Sequence, residues 1–180
     1  MPQAVTHILL PILLVSFWRD YYLRKRDRSQ FPLHYVLIAG LGGVLPDVDF
    51  AAFWLAKAAG ITNYALHRSY THYLIIPIIL FLGFFALKNI NHPSLGRHKL
   101  RLNIICLMLA LGYTIHILLD AYLMGPIQLL LPLITIEIGS PLLQSWLGEA
   151  AGLFTATLDG ALLVIWITYL EWKHKISNFI

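Results

Sequence analysis

The sequence predicts an all-α, polytopic integral membrane protein. About five transmembrane helices, the second of them broken, and one re-entrant or interfacial segment form a single transmembrane domain over residues 1–180. Three observations predict it. Apolar residues make up 58% of the 180 positions and charged residues 12%, with a mean hydropathy of +0.70. A water-soluble domain carries about 25% charged residues, so an ordinary soluble fold is excluded. Several apolar runs also approach the roughly 20 residues that cross a hydrocarbon core. Finally, eleven of the thirteen Lys and Arg fall in residues 19–28, residues 88–101 and the tail, and short cytoplasmic loops collect such residues. The net charge of +4 therefore reads as topology and gives no support for nucleic-acid binding. Cys106, the single cysteine, lies inside an apolar run, which excludes an internal disulfide and a thiolate metal cluster.

The first run, Ala4 to Trp18, has its basic residues after it (Arg19, Arg24, Lys25, Arg26 and Arg28), the reverse of a secretory signal. It reads as a retained anchor helix with its N-terminus outside and Phe17, Trp18, Tyr21 and Tyr22 at the inner interface. The second run, about Leu33 to Ala59, is interrupted by Gly40, Gly42, Gly43 and Pro46, and the residue before a proline is biased away from helix. The GLGG string lacks the Lys and Ser or Thr of a phosphate loop and reads as a place of close helix packing. A third run covers His72 to Leu87, with Thr71 as its expected N-cap. The fourth, Leu102 to Met124, is the cleanest span. Pro126, Pro132 and Pro141 cut residues 125–148, which suits an interfacial or re-entrant segment. The last span, Glu149 to Trp172, ends in Lys173 and Lys175. Five spans with the N-terminus outside and the C-terminus cytoplasmic place all three basic clusters on the cytoplasmic side of a multi-pass cell (inner) membrane protein.

That topology gathers ionisable residues on the outer face. His7 opens the first span, Asp47 and Asp49 lie in the break of the second, and His67 and His72 fall in the outer connection HRSYTH. His116 and Asp120 stand near the outer end of the fourth span. Charged residues in a bilayer are costly, about 2.5 to 3.5 kcal/mol at its centre, and are functional candidates by default. Seven His and Asp without thiolate suit zinc, or a harder divalent ion such as manganese. His116 and Asp120 are one helical turn apart and share a face. Asp47 and Asp49 share a side if the chain around Pro46 is extended. Alternatively, Pro46 starts a helix with both acids in its first turn. His67 and His72 serve one site only if the chain between them is irregular. Arg68 is a bidentate donor suited to phosphate or carboxylate. Any one intramembrane His or Asp is also a reasonable interhelical hydrogen-bond partner; seven on one face are harder to read that way. His34, His92, His98 and His174 read as structural or solvated, and Glu137 and Glu149 as interfacial. Asp159 is open between a further ligand, a general base and a carboxylate held by Thr155 or Thr157.

The ordered strings THILL, LPDVDF, HRSYTH and HILLD over about residues 5–132 resemble the family known as YdjM-like, also described as a domain of unknown function, of membrane-bound, metal-dependent hydrolases. Ser69 and Tyr73 stand where that family often has Gly and Ser, and every candidate ligand is kept. The ligand order is also similar, more weakly, to that of zinc-dependent phospholipases C, which have a further His and acid pair near the C-terminus. The lack of that pair here implies one or two metal ions. The resemblance implies a membrane-embedded hydrolase of a lipid or lipid-linked phosphate or carboxylic ester at the outer leaflet. The expected ligands are His7, Asp47, His67, His72, His116 and Asp120, with Asp49 a ligand, an orienting group or a base. Arg68 is expected to clamp the substrate anion. Three other classes compete: a metal or proton transporter using the residues as a relay, a non-catalytic adaptor using them as interhelical glue, and a haem protein using paired His as axial ligands.

Overall fold

The computed structural model describes residues 4–27, 30–60, 71–89, 100–131 and 133–175. His67 and Arg68, like His92 and His98, lie outside the described residues. Among the described residues, seven α-helices carry the fold: α1 Ala4–Tyr22, α2 His34–Gly42, α3 Asp49–Ala58, α4 Ile75–Lys88, α5 Leu102–Leu119, α6 Leu142–Leu147 and α7 Ala151–His174. Helix α5 packs against α2 on one side and α4 on the other, and α1 lies against α2, α5 and α7. The core between α1, α2 and α5 is built from Ile12, Val15, Phe31, Tyr35, Val36, Ala39 and Met108. Outward faces are apolar as well: Leu82 of α4 is 58% exposed and Val164 of α7 is 64% exposed, surfaces suited to lipid rather than water.

Among the described residues, two helical stretches, Leu102–Met124 and Leu142–His174, are long and apolar enough to cross a membrane. A third joins them if His34–Gly42 and Leu45–Ala58, bent by 54° at their junction, count as one span. Length and composition therefore support two or three spans where the sequence predicts about five. The other two fall short for separate reasons. Helix α1 runs past Trp18 to Tyr22 and so includes Arg19 and Asp20. Helix α4 has 14 residues, roughly 21 Å at 1.5 Å per residue, against a hydrocarbon core of about 30 Å.

The predicted break in the second run is present, and its second alternative holds. Pro46 sits in a 3-10 turn, Leu45–Val48, that leads directly into α3 at Asp49; no extended stretch intervenes. The GLGG string does pack closely. A Cβ on Gly112 of α5 would collide with the Ala39 carbonyl oxygen and stand 2.7 Å from the Gly43 nitrogen. A Cβ on Gly43 would collide with the His7 carbonyl oxygen. Pro11, four residues after His7 and inside α1, has no N–H to bond that carbonyl, so Gly43 backs onto an oxygen that α1 itself leaves free.

Helix α5 ends in a π turn, Asp120–Met124, closed by Gly125 at φ 143°. Residues 125–131 and 133–141 then fold back over this end without helix. Ile127 and Ile138 form an isolated antiparallel bridge, the Leu74 N–H donates to the Leu129 carbonyl at 2.9 Å, and the Ser140 N–H donates to the Ala121 carbonyl at 2.9 Å. The rest of the segment predicted as re-entrant or interfacial includes α6, Leu142–Leu147, which belongs with α7 to the apolar stretch Leu142–His174.

The two ends of the bundle differ in charge as predicted. Among the described residues, Arg24, Lys25, Lys88, Arg101, Lys173 and Lys175 flank the C-terminal ends of α1, α4 and α7 and the N-terminal end of α5. That end is tied together by the Arg101 N–H donating to the Tyr35 hydroxyl at 2.7 Å and Arg19 Nε donating to the Phe31 carbonyl at 2.8 Å. The Tyr169 hydroxyl donates to Asp20 Oδ2 at 2.7 Å. His7, Asp47, His72, His116 and Asp120 gather at the other end.

Candidate metal centre

Four separate stretches each deliver a side chain to one point. The first turns of α1 supply His7, the 3-10 turn after α2 supplies Asp47, the turn before α4 supplies His72, and the end of α5 supplies His116 and Asp120. His7, His72 and His116 are 1%, 1% and 0% exposed. His72 Nε2 lies 3.3 Å from His116 Nε2 and 3.4 Å from Asp120 Oδ2, and His116 Nε2 lies 3.9 Å from that same oxygen. The point equidistant from the corners of a triangle with those edges is about 2.1 Å from each, the length of a zinc–nitrogen or zinc–oxygen bond. Asp47 Oδ1 lies near the triangle's two histidine corners, 3.9 Å from His72 Nε2 and 3.7 Å from His116 Nε2. A tetrahedral ion with such bonds has ligand–ligand edges of roughly 3.3 Å, a few tenths shorter than most of these. His7 stacks on His116 with ring centroids 4.0 Å apart, and its Nε2 is 3.3 Å from Asp120 Oδ1. Neither ring nitrogen of His7 has a hydrogen-bond partner among the described residues, as expected of a donor placed for a cation.

Two overlapping groups can therefore hold a metal ion, His7–Asp47–His116 and His72–His116–Asp120. Both use His116, and its ring shows which nitrogen is on offer. His116 Nδ1 is 2.7 Å from the Gly43 carbonyl oxygen. A carbonyl only accepts, so Nδ1–H donates to it and the Nε2 lone pair faces the centre. The close approach of α2 to α5 across Gly112 thus sets the orientation of a ligand.

His72 is oriented by a longer chain of contacts. Thr71 Oγ1 lies 2.9 Å from Asp49 Oδ2 and 3.0 Å from His72 Nδ1. The single hydroxyl hydrogen goes to the carboxylate, so His72 Nδ1–H donates to Thr71 and Nε2 again faces inward. The Thr71 backbone is itself held, because the Tyr113 hydroxyl of α5 donates to its carbonyl. Asp49 enters neither group and stands two hydrogen bonds behind His72, through Thr71. Thr71 does not cap α4, whose N-cap is Leu74 without a side-chain bond. Its role at the site was missed in sequence because its partner is 22 residues away.

Asp159 of α7 stands outside the cluster and is held by neither Thr155 nor Thr157, whose hydroxyls donate to the Gly152 and Leu153 carbonyls of their own helix. It instead clamps the start of α1. The Thr6 N–H donates to Asp159 Oδ1 at 2.8 Å, and the Thr6 hydroxyl donates to the same oxygen. A carboxylate at a helix N-terminus satisfies a donor the helix leaves open, and here it fixes the residue next to His7. Of the seven predicted ligands, five come together, Asp49 supports one of them, and His67 lies outside the described residues, as does Arg68.

No curated protein and no solved structure matches the chain. The sequence profile described as YdjM inner membrane protein matches residues 1–176, almost the whole length, and takes in every residue of the cluster: this chain belongs to the YdjM inner membrane protein family.

Proposed function

We propose that the protein is a five-span membrane hydrolase that uses one zinc ion to cleave a lipid or lipid-linked phosphoester at the outer leaflet. The observation that carries the metal is the His72–His116–Asp120 triangle, with edges of 3.3, 3.4 and 3.9 Å, whose two imidazoles have their other nitrogens engaged. One Nε2 lone pair binds one ion, so the two ligand groups that share His116 describe a single centre. Nitrogen and carboxylate donors without thiolate suit zinc, with manganese the alternative. When bound, such an ion polarises a phosphoryl oxygen and lowers the pKa of a water towards 7.

The chain's own residues divide the remaining work. His7, His72, His116 and Asp120 form a buried floor, while the Asp47 side chain, 20% exposed, marks the open edge where water and substrate enter. Asp47 orients the attacking water there. Asp49 and Thr71 hold His72. Arg68 grips the substrate anion with its planar fork. Residues 125–141 roof the site and keep it from bulk water. The shortness of α4 fits five spans if the centre lies sunk in the outer leaflet, with Lys88 reaching the opposite interface.

The test has two parts. Elemental analysis of the detergent-purified protein should find about one equivalent of zinc or manganese in the wild type and a strongly reduced amount in His116→Ala/Asp120→Ala. Metal-loaded protein is then incubated with lipid phosphoesters and with neutral carboxylic esters in the same detergent. Turnover of the phosphoesters that depends on metal and falls in Arg68→Ala is expected. Metal-dependent turnover of neutral esters alone would overturn the phosphoesterase reading, and full metal retention in the double variant would overturn the ligand set.

A further inference from the structure

At the opposite, basic end, α1, α2 and α5 line a cavity of about 280 Å³ whose lining includes Trp18, Tyr22, Phe31, Tyr35, Arg101 and Met108 and, among the described residues, no acidic side chain. Its walls are aromatic: Trp18 and Tyr35 each meet Phe31 edge to face at 5.8 Å. Its mouth offers hydrogen-bond donors. The Arg101 guanidinium forms no hydrogen bond or ion pair with any described residue. The Tyr35 hydroxyl, on a side chain 4% exposed, accepts the Arg101 N–H at 2.7 Å, and its own hydrogen has no acceptor among the described residues. A buried donor and a cation at an apolar, aromatic chamber ask for an anion with a hydrocarbon tail.

We propose that this cavity binds one anionic phospholipid. Its phosphate lies at Arg101 and the Tyr35 hydroxyl, and the first part of an acyl chain rests against Trp18, Phe31 and Met108. Basic pockets between helices at a membrane face take anionic headgroups in this way. The cavity runs from Arg101 to Met108, two turns and roughly 10 Å down α5, deep enough for the headgroup junction and the start of a tail. Leu107, which lines it, also lines an apolar groove between α4 and α5 with Leu74, Ile78 and Phe81 among others. Arg101 is about 22 Å along α5 from His116, so the site is separate from the metal centre and does not rest on it.

The full-length protein in detergent, given equimolar phosphatidylglycerol and phosphatidylcholine, is examined by native mass spectrometry. One retained phosphatidylglycerol is expected in preference to phosphatidylcholine. R101Q should lower its retention about five-fold, R101K should fall between the two, and K88Q, which removes a charge at the same end outside the cavity, should match the wild type. Equal retention of the two lipids, or an R101Q protein indistinguishable from the wild type, would overturn the proposal. Binding of free glycerol 3-phosphate as tightly as the lipid would also overturn it, since the tail would then contribute nothing.

Discussion

Thr71→Val separates an oriented ligand from a merely adjacent one. Valine keeps the branched shape of threonine and removes only the hydroxyl, which stands 2.9 Å from Asp49 Oδ2 and 3.0 Å from His72 Nδ1. Two hydrogen bonds go at once. Asp49, 8% exposed, loses a charge-assisted donor, and the His72 ring loses the acceptor that keeps its proton on Nδ1. Loss of such a partner behind a ligating histidine weakens metal binding about 10- to 100-fold, or about 1.4 to 2.8 kcal/mol. Thr71→Ser restores the hydroxyl without the methyl group and should recover most of the affinity. Competition for zinc against a chromophoric chelator, on detergent-purified protein at fixed pH, reads the affinity directly. Wild-type affinity in Thr71→Val would refute the relay and leave the metal centre standing; a wild type that does not compete for zinc at all would refute the centre itself.

Gly112→Ala forces a Cβ against the Ala39 carbonyl and the Gly43 nitrogen; the overpacking should cost about 1–3 kcal/mol and lower the thermal midpoint of the helical signal, and an unchanged midpoint would show that α2 and α5 slide apart freely. Asp159→Leu leaves the Thr6 N–H and hydroxyl unsatisfied and should cost about 1–3 kcal/mol, whereas Asp159→Asn keeps an acceptor for both and should cost less than half as much; equal losses in denaturation followed by circular dichroism would remove the clamp. In a Cys106→Ala background, a membrane-impermeant maleimide applied to intact cells should label Ser145→Cys at the roof end and spare Lys25→Cys at the basic end; the reverse pattern would invert the topology.

Much of the site is legible in the sequence because its ligands recur with local signatures. His116 and Asp120 are a turn apart on an evident helix, and Asp47 is marked by the proline that breaks the second run. Partners set by tertiary approach leave no such mark. Thr71 reads as a helix cap because the sequence does not show that Asp49 turns back towards it. Asp159 has hydroxyls within four residues of it, yet those prefer their own helix's carbonyls, and its partner lies 153 positions away in Thr6. The number of spans is harder still. It depends on where helices stop, and α1 carries Arg19 inside its last turns while α4 begins three residues later than its apolar run suggests.

The Asp159 clamp also imposes an order of events on biosynthesis. His7 is translated before Asp120, which completes the cluster, but the carboxylate that holds the start of α1 follows both, in α7. Until α7 inserts, the N-terminal turn lacks its anchor and His7 has no fixed position. Assembly of the cluster is thereby tied to synthesis of α7, and a polypeptide truncated before residue 159 would carry the five clustered side chains without the means to hold the first of them in place.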